Sequence, residues 1–220
     1  MPATRCIIAL SFLLLLLGDI CAQGLATSND TIFNQVDAQN QRQGHWKMRY
    51  PNGKIAYQGY FVDNKPRGLF RRYHESGIIS ARMMFSDCGD STHTILYYPS
   101  GRRVAEGQHY KTHKDGKWEY YTEDQRLVLT EEYHHGEKHG QFISYYPTGE
   151  VYERVSWRND QKHGPTTQFY QNGLIQSSAL FKDGVQHGPI RVYYYSGSLR
   201  LEGEYKDGLK SGTWRVLSPE

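Results

Sequence analysis

Residues 140–163 read GQFISYYPTGEVYERVSWRNDQKH and contain one complete copy of the pattern that decides the fold. Residues 141–146 are rich in aromatic and β-branched side chains, which is the composition of a β-strand. Pro147-Thr148-Gly149 predicts a tight turn, because proline sets φ for the first corner and glycine takes the left-handed position. A second strand and a longer turn follow. The stretch therefore predicts a β-hairpin with a bulge beside its first turn.

This pattern recurs every 24 residues along most of the chain. A leading series of glycines is interrupted only at Thr92, and a second series, nine residues behind it, only at Gln125. A constant period without insertions is typical of a stacked repeat array, in which each unit buries apolar surface against its neighbours. The leading glycines are Gly44, Gly68, Gly116, Gly140, Gly164, Gly188 and Gly212, and the turn glycines are Gly53, Gly77, Gly101, Gly149, Gly173 and Gly197.

The predicted fold is all-β: an elongated, single-layer antiparallel sheet of tandem 24-residue β-hairpins. Neighbouring hairpins must pair, since a lone hairpin is only marginally stable in water. The array is predicted over residues 33–217, with seven full units from Gly44 and half-units at its ends, and residues 218–220 form a tail. Rows five, eleven and seventeen residues after each leading glycine, represented by Tyr73, Ile55 and Phe61, are predicted to share one buried face.

A further aromatic row, two residues after each leading glycine, conflicts with that arrangement. It lies on the opposite pleat from the tyrosine row, because strand side chains alternate between faces. Two explanations remain open: a second bulge reorients these side chains, or both faces of the sheet carry an aromatic row. The row consists of Trp46, Phe70, Trp118, Phe142 and Trp214.

Residues 1–22 have the composition of a secretory signal peptide. Arg5 supplies a positive start, an apolar run follows, and the small residue Ala22 ends the segment. The apolar run is short for a membrane span. We therefore expect export to the periplasm or the exterior after cleavage near Ala22, with residues 23–32 as a flexible linker. Lipoprotein anchoring through Cys21 is the alternative.

The composition limits the classes of function. A net charge of +3, with acidic residues interleaved among basic ones, argues against nucleic-acid binding. Eighteen tyrosines, eight phenylalanines and four tryptophans are too many aromatic residues for a disordered chain. The sequence has no Gly-x-Ser-x-Gly motif and no glycine-rich loop that enters a helix, so we predict neither catalytic residues nor a cofactor.

Several histidines lie near predicted turns. His139, His163 and His187 each precede a leading glycine, but equivalent positions in successive units lie ~9.6 Å apart, farther than the ~3–4 Å between ligands of one zinc ion. His134 and His135 are close to His139 in sequence, but they lie in a turn with no acidic or thiolate partner at metal spacing. We therefore predict no metal site and interpret these histidines as solvated turn residues.

A second tyrosine row, six residues after each leading glycine, is the predicted binding surface. It is expected near Lys54 and Arg102, and exposed aromatic rings beside cations suit partner proteins, glycans or lipid headgroups. The alternative is that these rings only cover the turn and pack against its proline. The row consists of Tyr50, Tyr98, Tyr146, Tyr170 and Tyr194.

The pattern Gly-x-Trp/Phe-x-x-Tyr-Tyr-Pro-x-Gly, followed by aromatic-x-Asp-Gly-x-x-x-Gly, resembles the MORN repeat, specifically the bacterial variant found in tandem arrays. The likeness covers about residues 33–217. It implies a non-enzymatic scaffold that binds a protein or a membrane or cell-envelope surface through an elongated, aromatic-rich sheet. Some bacterial relatives are antitoxin-like, which makes an inhibitor of a toxin one alternative, although a signal peptide fits poorly with a cytoplasmic antitoxin. A carbohydrate- or cell-wall-binding aromatic repeat protein is the other.

Overall fold

The computed structural model describes residues 32–87 and 89–219. The predicted signal peptide and nearly all of the predicted linker lie outside the described residues. All regular secondary structure in the described part is β-strand, which confirms the all-β prediction. The strands are β1 (Gln35–Val36), β2 (Arg42–Arg49), β3 (Ile55–Val62), β4 (Lys65–Tyr73), β5 (Ile79–Phe85), β6 (Ser91–Tyr97), β7 (Arg103–Tyr110), β8 (His113–Tyr121), β9 (Leu127–His134), β10 (Glu137–Lys138), β11 (Gly140–Tyr145), β12 (Val151–Arg158), β13 (Gln161–Phe169), β14 (Ile175–Lys182), β15 (Val185–Tyr193), β16 (Leu199–Lys206) and β17 (Leu209–Val216).

The strands pair in chain order, so they form one open antiparallel sheet of successive hairpins. β10 and β11 both pair with β9 and together occupy one strand position, interrupted at His139. Within the described residues no helix and no second sheet covers either face. The predicted single-layer architecture is thereby confirmed.

The first turn of each unit is held by two backbone hydrogen bonds. In the turn after β11, the N–H of Gly149 donates to the carbonyl of Tyr146 at 2.9 Å, and the N–H of Tyr146 donates to the carbonyl of Glu150 at 2.8 Å. Gly149 has a φ of 105°, where a side chain would be strained. Gln125, which replaces a turn glycine, adopts a φ of 64° and hydrogen-bonds the backbone N–H and carbonyl of Arg103 through its side chain.

The leading glycines mark a second irregularity. Between β12 and β13, Val155 pairs with Thr166 but Trp157 pairs with Lys162, so the chain bulges around Gly164. Strand β6 has Thr92 at the equivalent position, and its ladder with β5 runs without a register shift. The loop between β5 and β6 is longer than the equivalent loops, and its extra residues take the place of those that form the bulge in other units. The 24-residue period is therefore unchanged.

A bulge beside the first turn determines which side chains share a face. In the β2–β3 ladder, Met48 pairs with Tyr57 whereas Arg49 pairs with Ile55, which leaves Ala56 as an extra residue. The same shift recurs in the corresponding hairpins along the sheet. Because side chains alternate along a strand, one extra residue moves the rest of β3 to the face opposite the one that unbroken alternation predicts.

The prediction that rows five, eleven and seventeen residues after each leading glycine share a buried face is therefore wrong. The row at seventeen packs with the row at two: the ring centroid of Phe61 lies 6.0 Å from that of Trp46 and 5.7 Å from that of Phe70. The tyrosine row at five lies on the other side, so both faces carry an aromatic row. We define the aromatic face by the positions equivalent to Trp46, Met48, Tyr57, Gly59 and Phe61, and the polar face by those equivalent to His45, Lys47, Gln58 and Tyr60.

The core of the described residues lies on the aromatic face. Trp118 is 2% exposed, and its ring covers Gly107, where a Cβ atom would overlap the indole. Phe70 covers Gly59 and Trp214 covers Gly203 in the same way. A glycine on one strand thus makes room for a large ring on the next. The buried hydrophobic side chains are Phe61, Phe70, Ala81, Ala105, Trp118, Phe142 and Val155.

Candidate functional site

The tyrosines predicted to bind a partner make contacts between successive repeats. The hydroxyl of Tyr146 donates a 2.8 Å hydrogen bond to the carbonyl of Phe169, which lies 23 residues later in the next unit. His74 takes this position in the second unit, with its Nε2 3.1 Å from the carbonyl oxygen of Tyr97. The hydroxyls of the predicted tyrosines already have acceptors within the sheet, so the binding of a partner by these residues stays a prediction. We call the set of tyrosines the tyrosine clamp. It consists of Tyr50, Tyr98, Tyr146, Tyr170 and Tyr194.

Tyr146→Phe is expected to lower the free energy of unfolding by about 1 kcal/mol, because it removes one hydrogen bond and leaves a carbonyl without that donor. Urea unfolding followed by far-UV circular dichroism measures the change. Tyr152→Phe is the matched control: its ring contacts that of Tyr146, and its hydroxyl has no hydrogen-bond partner among the described residues. Equal losses from the two substitutions would contradict the clamp.

One row on the aromatic face crosses the strands and is only partly covered. Ala81 and Ala105 are 5% and 1% exposed, whereas Leu96, which pairs with both, is 36% exposed and Met48 is 52% exposed. Arg72 contributes the one charge in the row. We call this set the apolar row, and it leaves apolar side chains in contact with solvent. Its members, in cross-strand order, are Met48, Tyr57, Arg72, Ala81, Leu96, Ala105, Tyr120 and Leu129.

A group of ionisable side chains borders the apolar row. Glu131 Oε2 accepts hydrogen bonds from the hydroxyls of Tyr120 at 2.6 Å and Tyr133 at 2.8 Å, and Lys114 Nζ lies 3.4 Å away. Lys114 also lies over the rings of Trp118, Tyr120 and Tyr133. Burial raises the pKa of both tyrosine hydroxyls. Burial alone would raise the pKa of the Glu131 carboxyl, but the two hydroxyls and Lys114 hold that pKa below its ordinary value.

Glu131→Gln is expected to lower the free energy of unfolding by about 1–2 kcal/mol at pH 7, with little effect near pH 3. The folded-state pKa of Glu131 lies below its unfolded value, so the carboxylate adds stability above the unfolded pKa. That stability is lost as the pH falls through the folded-state pKa. Urea unfolding at both pH values tests this, with the exposed Glu123→Gln as the control. A loss that is equal at the two pH values would contradict the assignment.

The polar face over β6–β9 carries ion pairs. Glu106 pairs with Arg103 at 2.6 Å, and Glu119 pairs with Lys117 at 2.7 Å. Glu119 also accepts a 2.6 Å hydrogen bond from the hydroxyl of Tyr121. Burial, reinforced by that bond, raises the pKa of Tyr121 to about 12. The charges on this part of the polar face therefore satisfy one another.

The polar face over β4 and β5 is basic. Arg71 and Arg82 form a cross-strand pair, and Lys47 lies on the same face two strands away, where Gln58 separates it from Arg71. Like charges directly opposite each other are destabilising. Neither arginine has a salt-bridge partner among the described residues. This region therefore carries uncompensated positive charge.

Two of the histidines that precede leading glycines contact the next turn. His163 Nδ1 lies 3.3 Å from the backbone nitrogen of Asp183 and 3.1 Å from its carboxylate. His187 makes the equivalent contacts with Asp207, at 3.4 Å and 3.3 Å. These two side chains tie neighbouring turns together across 20 residues of sequence.

In the turn after β9 the aspartate and the histidine occupy each other's positions. Asp115 Oδ1 accepts a 2.9 Å hydrogen bond from the backbone N–H of His135 and lies 3.6 Å from its Nδ1. The ring centroid of His134 lies 4.2 Å from that of His135. Ligand atoms of these three residues all lie within 4.8 Å of one another. The expectation that these histidines lack an acidic partner is therefore wrong, because Asp115 supplies one from β8.

The part of the chain that the structure describes contains no helix that is both long enough and apolar enough to cross a membrane.

Comparisons with known proteins agree with the repeat pattern. A family model described as a MORN repeat variant matches residues 42–63, 138–159 and 186–207, and one described as a MORN repeat matches residues 156–174 and 202–213. No curated protein matches the sequence.

Two solved structures resemble part of the chain at low similarity. A crystal structure of TarM is 12% identical over 54% of this chain and 20% of that chain, with a TM-score of 0.25. A mutant of S. aureus TarM in complex with fondaparinux, α-GlcNAc-glycerol and UDP is 10% identical over 55% of this chain and 19% of that chain, with a TM-score of 0.26. The chain spans about a fifth of the length of these structures, and TM-scores this low support no argument about fold or function.

Proposed function

The chain contains MORN repeats, and on that premise we propose that it is a non-enzymatic scaffold that binds a partner protein through its aromatic face. The observation that carries the proposal is the apolar row. Among the described residues no second layer of secondary structure covers this row, and Met48 and Leu96 expose apolar side chains on it. Exposed apolar side chains grouped on one face of a protein commonly mark an interaction site.

The row suits a partner segment that lies across the strands. Its cross-strand neighbours follow one another at about 4.8 Å, so apolar side chains of one segment could contact several units at once. Arg72 lies between Tyr57 and Ala81 in the row and would pair with an acidic side chain of the partner. The row becomes polar after Leu129, where Ser144 follows it, so the contact is expected over β2–β9.

Partner capture from the cell envelope, with two matched variants, tests the proposal. The aromatic-face variant carries Met48→Glu and Leu96→Glu, at side chains 52% and 36% exposed. The polar-face variant carries Met84→Glu and Leu180→Glu, at side chains 50% and 37% exposed. The two variants make the same chemical change at equally exposed positions. We expect only the aromatic-face variant to lose the partner.

The other outcomes have distinct meanings. Loss of the partner by the polar-face variant alone would overturn the choice of face. Failure of the wild-type chain to capture any protein would count against a protein-binding scaffold. In that case, retention on cell-wall polysaccharide that the aromatic-face variant lacks would favour the carbohydrate-binding alternative.

We also propose that the chain is exported and cleaved near Ala22, because its first residues have a signal-peptide composition. Mass spectrometry of the N-terminal peptide from the native source tests this. An intact N-terminus that begins at Met1 would contradict export and would favour the antitoxin-like alternative, which acts in the cytoplasm.

A further inference from the structure

We propose that Asp115, His134 and His135 bind a divalent transition-metal ion, with Zn²⁺ as the best match to the ligands. Two imidazole nitrogens and one carboxylate oxygen lie within 4.8 Å of one another. Three such protein ligands are sufficient for zinc when water or another group fills the fourth position. The mixture of imidazole and carboxylate ligands favours Zn²⁺ and its transition-metal neighbours over Mg²⁺ or Ca²⁺, which prefer oxygen ligands alone.

The backbone brings these three residues together. Gly116 pairs with Tyr133 in the β8–β9 ladder, so Asp115, near the start of β8, and His134, at the end of β9, are next to each other. His135 follows with a left-handed φ of 53°, which breaks the alternation that would send consecutive strand residues to opposite faces. Two histidines adjacent in sequence therefore keep their rings close, with centroids 4.2 Å apart.

The site needs only a small adjustment to hold an ion. Ligands bound at about 2.0–2.2 Å in a tetrahedron lie roughly 3–4 Å from one another. Asp115 Oδ1 and His135 Nδ1 are 3.6 Å apart and already meet this spacing. Both histidine rings are exposed, so rotation about their side-chain bonds can close the remaining distance. The hydrogen bond from the His135 N–H to Asp115 holds the carboxylate in place, as outer hydrogen bonds do for metal ligands.

The other turns of this type lack the third ligand. The pairs formed by His163 with Asp183 and by His187 with Asp207 have the same combination of imidazole and carboxylate. The residue equivalent to His134 is a lysine in both turns, Lys182 and Lys206. An ammonium group offers no lone pair and repels a cation. Of the described turns of this type, only the one after β9 therefore combines three ligands, and the two others are internal controls.

The repeats also supply substitutions that preserve the turn. Each metal-site variant replaces a proposed ligand by the side chain that another unit has at the equivalent position. Gln43 in the first unit accepts the same backbone hydrogen bond as Asp115, and Asn159 adopts the same left-handed conformation as His135. The variants are Asp115→Gln, His134→Lys and His135→Asn, and the control variant carries His163→Ser with His187→Ser.

Calorimetric titration of the full, untagged chain with ZnCl₂, and Co²⁺ absorption in the visible range, test the site. We expect one Zn²⁺ per chain at this site and an intense Co²⁺ spectrum typical of four ligands. Each metal-site variant should bind Zn²⁺ at least about tenfold more weakly, while the control variant should bind as the wild type does. Unchanged binding in His134→Lys and His135→Asn would overturn the proposal. An equal loss in the control variant would also overturn it, because binding would then reflect exposed histidines in general.

Discussion

Replacing Trp118 by alanine is expected to lower the free energy of unfolding by about 3–5 kcal/mol, the range for truncation of a buried aromatic side chain. Trp118 is 2% exposed and its ring covers Gly107. Its Nε1 donates a 2.8 Å hydrogen bond to the carbonyl of Gln108, and Lys114 lies 5.0 Å from the ring centroid. Alanine would open a cavity over a glycine, and this single-layer sheet has no second layer to fill it.

Trp118→Phe is the matched control, because Phe70 and Phe142 occupy the equivalent position in other units. It should cost about 1–2 kcal/mol, for the lost hydrogen bond and part of the ring. Urea unfolding measures both variants. Hydrogen exchange should place the loss in β7–β9, since repeat units interact mainly with their neighbours. Equal losses from the two variants, or a loss below about 1 kcal/mol from alanine, would contradict the central role of the ring.

Gly107→Val is expected to lower the free energy of unfolding by about 2–3 kcal/mol, because the new side chain overlaps the Trp118 ring. The φ of Gly107 is not positive, so the cost comes from the overlap and not from backbone strain. Another unit avoids this overlap with a smaller partner: at the equivalent positions two units later, Val155 pairs with Thr166. Gly107→Val combined with Trp118→Thr should therefore be more stable than the sum of the single losses by about 1–3 kcal/mol.

A double-mutant cycle measures this coupling, and Gly149→Val with Trp118→Thr is the control cycle. Gly149 has a φ of 105°, and a Cβ atom there would contact nothing within 4 Å. Its substitution costs backbone strain, which no change at Trp118 can relieve, so the control cycle should be additive. Additive losses for Gly107 and Trp118 would show that ring and glycine are not matched in size.

The sequence period was sufficient to predict the hairpins and both turns, because Gly149 and its equivalents have local signatures. It was insufficient to assign faces, because the extra residue at each first turn has no characteristic side chain. Ala56 occupies that position in the first unit, Val104 in the third and Tyr152 in the fifth. The aromatic rows do not decide the faces either, because the row that contains Tyr73 is as aromatic as the rows that contain Trp46 and Phe61.

The surface features depend on contacts between units, which short motifs do not reveal. The Tyr146 hydroxyl bonds a carbonyl 23 residues away, and nothing in the Tyr-Pro-x-Gly turn indicates that acceptor. Asp115 is 20 residues from His135 and therefore escapes a search for ligands within one turn. His163 and Asp183 are also 20 residues apart, but there the histidine comes first. The sequence therefore contains the same spacing with the order of the two residue types reversed.

Because the tyrosine clamp joins equivalent positions of successive units, the sheet can gain or lose complete units. Each hydroxyl donates from one unit to the next, always across 23 residues, so the contact survives if a complete 24-residue block is removed. Without residues 164–187, Tyr146 would reach the carbonyl of Tyr193, and His163 would precede Gly188 and face Asp207. Gene duplication or loss of one block would thus lengthen or shorten the sheet by two strands, about 10 Å, with the clamp and the contact between histidine and aspartate retained. The distance that the scaffold spans can change in evolution without a new fold.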